Sequence, residues 1–510
     1  MARGATYLFI QGFLNAIIGL VYFVVLAHVL AVEEMGAYTL LSFVLALVPV
    51  IGALALPSAA IKYISQYLAE ENPVKARAVV VRVLQLGLLA SSAVFVVLFI
   101  PAEWLSIVVF GSADYTLLLR VVAFCSIFAM LNTMASSFLQ GLQKMWQLAA
   151  LGFGYTLVQA VIGISLLFLG WRLYAVVLGW LAGLVTISVI GILLTARQIG
   201  VLGKPSPTRP LLNFSLPLYI SGGIGFFVGW VDQLLLAALL GQRTLGIYSV
   251  AIRAATVPSL FSSSIITALF PKLSELYAKQ GFNSLKDAFK VSTRYSVLIG
   301  FPMKVGLATL AYPMVTLFGG VQYLDAVEPL IIICIATLVG ALGVAISSIL
   351  LTLERTAIVS VLSIVSVGLS FLLSYMALVP LNLGMVGTAW ARTFAAIIAF
   401  GFNLYLLSRY MSISFDKEAL WKASLACVVL IVAVVSLDGV RMLFSSGSYQ
   451  FLVFRLQLLP IYVVVGGLAY FLALVGLRAV KMQDIKLVEE YLPRRLNRIA
   501  VWLERIAVAD

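Results

Sequence analysis

Long runs of hydrophobic residues, separated by short polar segments, alternate along almost the whole chain. About twenty mostly apolar residues cross the hydrocarbon core of a bilayer as a helix, and the runs are close to that length. They are too long and too uniformly apolar for the strands of a membrane barrel. The pattern therefore predicts an all-α integral membrane protein with about fourteen transmembrane helices. The predicted spans lie near 7–30, 37–61, 78–100, 116–139, 148–169, 173–196, 213–240, 245–270, 292–318, 327–353, 356–379, 384–407, 420–437 and 455–477.

Composition agrees with this pattern. Of the 510 residues, 63% are hydrophobic and 10% are charged, and the mean hydropathy is +1.12. A soluble domain is roughly half apolar and about a quarter charged, so lipid must be the solvent here. Cys125, Cys334 and Cys427 lie in apolar runs without paired spacing, and His28 is the single histidine. We therefore expect no disulfide, no metal site and no histidine-based catalysis.

The distribution of Lys and Arg predicts the orientation. If the N-terminus is cytoplasmic, 25 of the 33 basic residues fall in inner segments or at the adjoining ends of spans, four fall in outer segments or at an adjoining span end, and the other four lie inside spans. This bias favours a multi-pass protein of the cell (plasma or inner) membrane with both termini in the cytoplasm. The first hydrophobic run shows no small-residue cleavage site and is taken as a retained span. The net charge of +13 fits anionic lipids as partners and does not require nucleic acid.

An internal repeat divides the chain. The sequence LAHVLAVEEMGAY at 26–38 matches LAALLGQRTLGIY at 236–248, and the same offset continues to Lys62 and Lys272. An even number of spans separates the copies, so the predicted lobes are parallel and related by a pseudo-two-fold axis along the membrane normal. Two such lobes with a site between them near the midplane are typical of transporters. The predicted domains are a six-helix lobe at 1–202, a cytoplasmic linker at 203–212, a second six-helix lobe at 213–410, two further spans at 411–478 and a cytoplasmic tail at 479–510.

The tail places apolar residues at helical spacing with basic residues between them. This pattern predicts an amphipathic helix that lies flat on the inner membrane surface. A helix that docks a partner protein is the alternative.

Charged residues inside spans are rare and costly, so each is a functional candidate. Asp232 and Arg253 each lie about 12 Å inside the predicted outer turn of neighbouring antiparallel helices. They form either a structural bridge or a site in which Arg253 binds phosphate and Asp232 orients it. Lys304 and Arg392 bring the total to one acid and three bases, which suits an anionic ligand. Snorkelling or hydrogen bonding between helices is the alternative for Lys304.

Gln11 and Asn15 lie four residues apart on one face of the first span. They could donate hydrogen bonds to a sugar or phosphate, or they could join two helices. The chain contains no phosphate-binding Gly-Lys-Ser/Thr loop, so we expect no nucleotide cofactor.

Several blocks resemble a known family. The stretch LNAIIGLVYFVVLAHVLAVEEMGAYTLLSF at 14–43 is similar to the start of polysaccharide-type, Wzx-like flippases of the multidrug/oligosaccharidyl-lipid/polysaccharide exporter superfamily. The resemblance implies a transporter that flips a lipid-linked oligosaccharide, on a polyprenyl phosphate or pyrophosphate carrier, to the outer leaflet. The second half carries further similar blocks at 213–223, 231–241, 245–258, 268–280 and 384–407.

Two other functions remain open from the residues. A cation-coupled multidrug exporter of the same superfamily would favour an acidic cavity, for which only Asp232 is available. A membrane glycosyltransferase or polymerase would need clustered carboxylates, and the acids of the outer segments are dispersed. We therefore predict a transporter and not an enzyme. A coupling ion, H⁺ or Na⁺, is left undecided.

Overall fold

The computed structural model describes residues 2–280, 282–352, 356–409, 415–442 and 448–479. The regular elements in these ranges are seventeen α-helices and two short 3₁₀ segments. The helices are α1 (Ala2–Val29), α2 (Val32–Gly52), α3 (Leu56–Ala69), α4 (Pro73–Phe99), α5 (Ala102–Phe110), α6 (Thr116–Gly141), α7 (Met145–Phe168), α8 (Arg172–Gln198), α9 (Thr208–Val228), α10 (Val231–Gln280), α11 (Phe282–Thr309), α12 (Ala311–Gly319), α13 (Val327–Thr352), α14 (Thr356–Leu378), α15 (Gly384–Ser408), α16 (Lys417–Met442) and α17 (Ser448–Gly476).

The number of spans agrees with the sequence pattern. In the described residues, 13 helices are long and apolar enough to cross a membrane, or 14 if one bent pair counts as a single span. That pair, Phe289–Thr309 and Ala311–Gly319, bends by 77° inside the predicted span 292–318. Pro313 accounts for the break, because in a straight helix its ring would clash with the carbonyl four residues earlier, at Thr309. The prediction of an all-helical membrane protein is therefore confirmed, with one span bent instead of straight.

The helices of the structure also differ in detail from the predicted seventh and eighth spans. The helix pauses at Gly229 and Trp230, between α9 and α10, where we predicted one continuous span over 213–240. Glycine is a poor helix former, and four glycines precede Trp230 in this segment. Within α10, Gly241 adopts φ 81° and ψ 178°, a conformation that glycine tolerates, and turns the chain where the sequence predicted a turn.

Contacts between Cα atoms divide the chain into two compact units. Unit 1 comprises Met1–Val250, Phe318–Gln322 and Ser363–Thr388, and unit 2 comprises Ala251–Leu317, Tyr323–Leu362 and Ala389–Asp510. The unit boundary at Val250 does not coincide with the predicted linker, 203–212. The two six-helix lobes were inferred from a sequence repeat, and they remain a prediction.

Small residues allow close packing of helices in unit 1. The core between α3, α4 and α6 includes the fully buried Ala59, Ala60 and Ala76, packed with larger side chains such as Phe138. Many large apolar side chains elsewhere on the spans are exposed, as expected of a surface that faces lipid. Small residues at such interfaces let backbones approach and gain van der Waals contact, which drives helix association where lipid removes the hydrophobic force.

In unit 2, the helices of the two predicted C-terminal spans, α16 and α17, pack against each other and against α11. A buried ion pair joins Arg294 on α11 to Asp416, which lies just before α16, with 2.8 Å between Nη1 and Oδ2. Arg294 also donates to the carbonyl of Ala479, beyond the end of α17. The predicted tail, 479–510, lies outside the described residues apart from Ala479.

Candidate functional site

Gln11 and Asn15 both lie against Gly152 of α7. The Asn15 amide donates to the Gly152 carbonyl at 3.4 Å. A Cβ atom added to Gly152 would lie 2.0 Å from Nε2 of Gln11, so the glutamine side chain occupies the space that glycine leaves. This arrangement supports the second of our two interpretations, in which the pair joins two helices.

Tyr22 adds a further polar group to the contact between α1 and α7, and it was not among the residues predicted from the sequence. It follows Asn15 by seven residues and therefore lies on the same face of α1. Its hydroxyl would be 2.7 Å from a Cβ added to Gly163 of α7. Among the described residues, neither the Tyr22 hydroxyl nor Oδ1 of Asn15 has a hydrogen-bond partner, although both are buried. The spacing of polar residues along α1 was the signal that could have identified Tyr22.

Asp232 is buried in unit 1, where the fully buried Tyr248 donates its hydroxyl to Oδ2 of the carboxylate at 2.9 Å. The sequence did not suggest this partner, although Tyr248 is the repeat counterpart of Tyr38. Arg253 lies on the later part of α10, in unit 2, with an exposed side chain. The pairing of Asp232 with Arg253 remains a prediction.

Lys304 is the most deeply buried of the candidate basic residues, with 2% of its surface exposed. Its ammonium, on α11, donates to the backbone carbonyl of Thr337 on α13. A carbonyl dipole is a partial substitute for lost hydration, and an ammonium has three hydrogens to donate. The contact favours hydrogen bonding between helices as one role of Lys304 and does not use its full donor capacity.

Arg392 is half-buried on α15. The next residue, Thr393, is buried and donates its hydroxyl to the Ala389 carbonyl at 2.9 Å, within the same helix. Unit 2 thus contains all three candidate basic residues, whereas unit 1 contains Gln11, Asn15 and Asp232. In the described part of the chain, no group of three or more His, Cys, Asp or Glu side chains could hold a metal ion.

The helical fold, with many helices long and apolar enough to cross a membrane, defines a class, the multi-spanning membrane proteins. Two solved structures share the fold. The chain superposes on "Lipid II flippase MurJ, inward closed conformation" with a TM-score of 0.72 and 19% identity, covering 91% of this chain and 97% of that one. An inward-facing multidrug resistance MATE family transporter gives a TM-score of 0.65 and 16% identity, covering 78% and 95%.

The chain belongs to the polysaccharide biosynthesis protein family, whose model matches residues 1–277. It is also 23% identical over 442 residues to the "Probable low-salt glycan biosynthesis flippase Agl15" of Haloferax volcanii, covering 84% of this chain and 88% of that protein. The resemblance to Wzx-like flippases stated from the sequence is confirmed. These similar proteins are named as flippases and transporters, which agrees with the prediction of a transporter and not an enzyme.

Proposed function

We propose that this protein moves a lipid-linked oligosaccharide, on a polyprenyl phosphate or pyrophosphate carrier, from the cytoplasmic to the outer leaflet of the cell membrane. The family assignment carries the proposal. The named functions of two similar proteins, a glycan biosynthesis flippase and a lipid II flippase, support it. The glycan headgroup crosses by alternating access between two lobes while the lipid tail stays in the bilayer.

Charge inside the membrane supports an anionic substrate. The helices of unit 2 carry Arg253, Lys304 and Arg392, and a basic residue at membrane depth is costly unless it serves binding or pairing. Guanidinium groups bind phosphate oxygens through two parallel hydrogen bonds and keep their charge. A phosphate or pyrophosphate group would balance the charge of these side chains during transport.

Transbilayer movement of a labelled polyprenyl-pyrophosphate oligosaccharide in proteoliposomes tests the proposal. We expect transport by the unaltered protein and a strong loss in Arg253→Gln and Lys304→Met, which keep much of the side-chain length but remove the charge. Lys290→Met is the matched control, because Lys290 is exposed on the same helix as Lys304. A dephosphorylated carrier should move poorly. Equal transport of both carriers, or no transport of either, would contradict the proposal.

A multidrug exporter of the same superfamily is the second candidate, because the chain shares its fold with a MATE transporter. Such a protein would export cationic amphipathic compounds in exchange for H⁺ or Na⁺. Asp232 would then be the essential acid, and Asp232→Asn would abolish drug export. Under the flippase proposal, an imposed gradient of H⁺ or Na⁺ drives glycan movement or leaves it unchanged, and cationic drugs are not exported.

A further inference from the structure

An open cavity of about 780 Å³ lies at one end of unit 1, at turns that the sequence places on the outer side. The α7–α8 turn forms one wall, and the segment between α5 and α6 forms another. Its size is in the range of pockets that hold small ligands. The residues that line it are Glu34, Asp114, Tyr115, Leu117, Leu118, Leu169, Gly170, Trp171, Arg172, Leu173 and Tyr174.

The wall of this cavity combines exposed aromatic rings with charged groups. Trp171 is 51% exposed and Tyr174 is 36% exposed. Asp114 is exposed and accepts a hydrogen bond from the Ser112 hydroxyl at 2.6 Å, which fixes one carboxylate oxygen. The wall therefore contains both a hydrogen-bond acceptor, the Asp114 carboxylate, and the apolar ring surfaces of Trp171 and Tyr174.

The backbone at the α7–α8 turn is held in an uncommon conformation. Arg172 has φ 45°, in the left-handed backbone region that residues other than glycine rarely adopt. Gly170 has φ 86°. Arg172 forms an ion pair with Glu34 of α2, with 2.9 Å between Nε and Oε1. Such strained residues persist where the surroundings hold them, and they cluster at binding sites. The ion pair keeps the turn, and with it Trp171, in a defined place.

We infer that this cavity binds the pyranose rings of a lipid-anchored glycan on the outer side of the membrane. A pyranose has an apolar face of C–H groups, which packs against an aromatic ring, and a rim of hydroxyl groups, which donate to carboxylates. Aromatic residues at the membrane interface also serve as anchors, but an anchor needs neither a cavity nor a fixed carboxylate. The inference rests on the proposed function, since it takes the glycan of the exported substrate, or of a neighbouring glycolipid, as the ligand.

The residues that line this site belong to unit 1, whereas the basic residues proposed to bind phosphate belong to unit 2. The site would hold the glycan after the headgroup reaches the outer side, or keep it near the protein for the next enzyme of assembly. Flipping and outer binding are therefore separable, and each can be lost without the other.

Binding of lipid-free oligosaccharides tests the inference. The protein is placed in nanodiscs of sugar-free phospholipid, and an array of neutral and uronic-acid-containing oligosaccharides is presented. We expect at least one to bind, and Trp171→Ala and Asp114→Asn to weaken that binding about tenfold. Trp104→Ala is the matched control, since Trp104 is exposed on unit 1 but does not line the cavity. Thermal denaturation confirms that each variant is folded.

Two results would overturn the site: binding of no oligosaccharide by the unaltered protein, or equal weakening by Trp104→Ala and Trp171→Ala. The flipping assay is run in parallel on the same variants. If oligosaccharide binding fails and flipping is intact, this site is rejected and the proposed function stands. If flipping fails and oligosaccharide binding is intact, the proposed function is rejected and this site stands. A second set of nanodiscs contains a glycolipid. Displacement of the bound oligosaccharide identifies a membrane glycolipid as ligand, and its retention identifies the exported glycan.

Discussion

Glu33 and Arg243 form an ion pair, with 2.7 Å between Oε1 and Nη1, and they occupy equivalent positions in the two copies of the internal repeat. The separation of 210 residues equals the repeat offset. The backbone contact beside this pair is reciprocal. A Cβ on Gly36 would lie 2.0 Å from the Gln242 carbonyl oxygen, and a Cβ on Gly246 would lie 2.1 Å from that of Val32. Reciprocal contacts of this kind are what a two-fold relation between the copies requires.

We predict that Gly36→Ala and Gly246→Ala each destabilise the protein by about 1–3 kcal/mol, because backbone atoms must move to admit the methyl group. A lowered Tm of the purified protein in detergent measures the effect. Gly12→Ala is the control, since a Cβ there meets no atom within 4 Å. Equal Tm values for Gly36→Ala and Gly12→Ala would contradict the close approach of the two turns.

The ion pair beside these glycines should contribute much less. Glu33 and Arg243 are 50% and 66% exposed, and exposed pairs are worth about 0–1 kcal/mol. We expect Glu33→Lys to lower the Tm slightly at low salt, and the double exchange Glu33→Lys with Arg243→Glu to restore it. A full double-mutant cycle at low and high salt measures the coupling. Coupling well above 1 kcal/mol that persists in high salt would show that the pair is buried in solution.

The pair formed by Arg294 and Asp416 should behave in the opposite way. Both side chains are at most 9% exposed, and Asp416 also accepts from the Ala419 amide at the start of α16. Removing one partner leaves the other charge buried without compensation, so Arg294→Ala should lower the free energy of unfolding by about 3–5 kcal/mol. Thermal denaturation measures the loss.

Lys422→Ala provides the comparison for that prediction, because Lys422 pairs with the exposed Glu418 in the same part of unit 2. It should cost about 1 kcal/mol or less. If Arg294→Ala proved as mild as Lys422→Ala, Arg294 and Asp416 would not be buried together.

The orientation predicted from basic residues can be tested with single cysteines. Leu202, near the predicted cytoplasmic linker, is 84% exposed, and Leu169, at the predicted outer turn, is 72% exposed. In intact cells, a membrane-impermeant maleimide should label Leu169→Cys but not Leu202→Cys. The native Cys125, Cys334 and Cys427 are buried and should give no background. The reverse labelling pattern would show that the protein has the opposite orientation in the membrane.

Gln11 and Asn15 offer a test of structural against binding roles. Because Asn15 bonds to Gly152, we expect Asn15→Ala to cost about 0.6 kcal/mol, the average for a hydrogen bond between membrane helices. Gln11→Ala should have a similarly small effect on the Tm. Both variants should keep the apparent affinity for the glycan substrate in the flipping assay. A large rise in KM without a change in Tm would indicate that these residues bind the substrate.

Much of the fold follows from the chain alone, because hydropathy directly determines which segments can cross lipid. The length of each run predicted the membrane helices, and the repeat predicted equivalent turns near Ala31 and Gly241, where the structure breaks both helices. Pro313 was a visible cause of the bend after Thr309, but a proline in a membrane helix is common, and its effect depends on neighbouring helices.

The partners of the polar side chains depended on the tertiary structure. The sequence determined that Asn15, Asp232 and Lys304 lie inside spans, since position along a helix sets depth. It could not determine which face of each helix contacts which neighbour. In lipid, the choice of neighbour depends on close packing and on single hydrogen bonds of small energy. Only the assembled helices brought Asn15 to Gly152, Asp232 to Tyr248 and Lys304 to the carbonyl of Thr337.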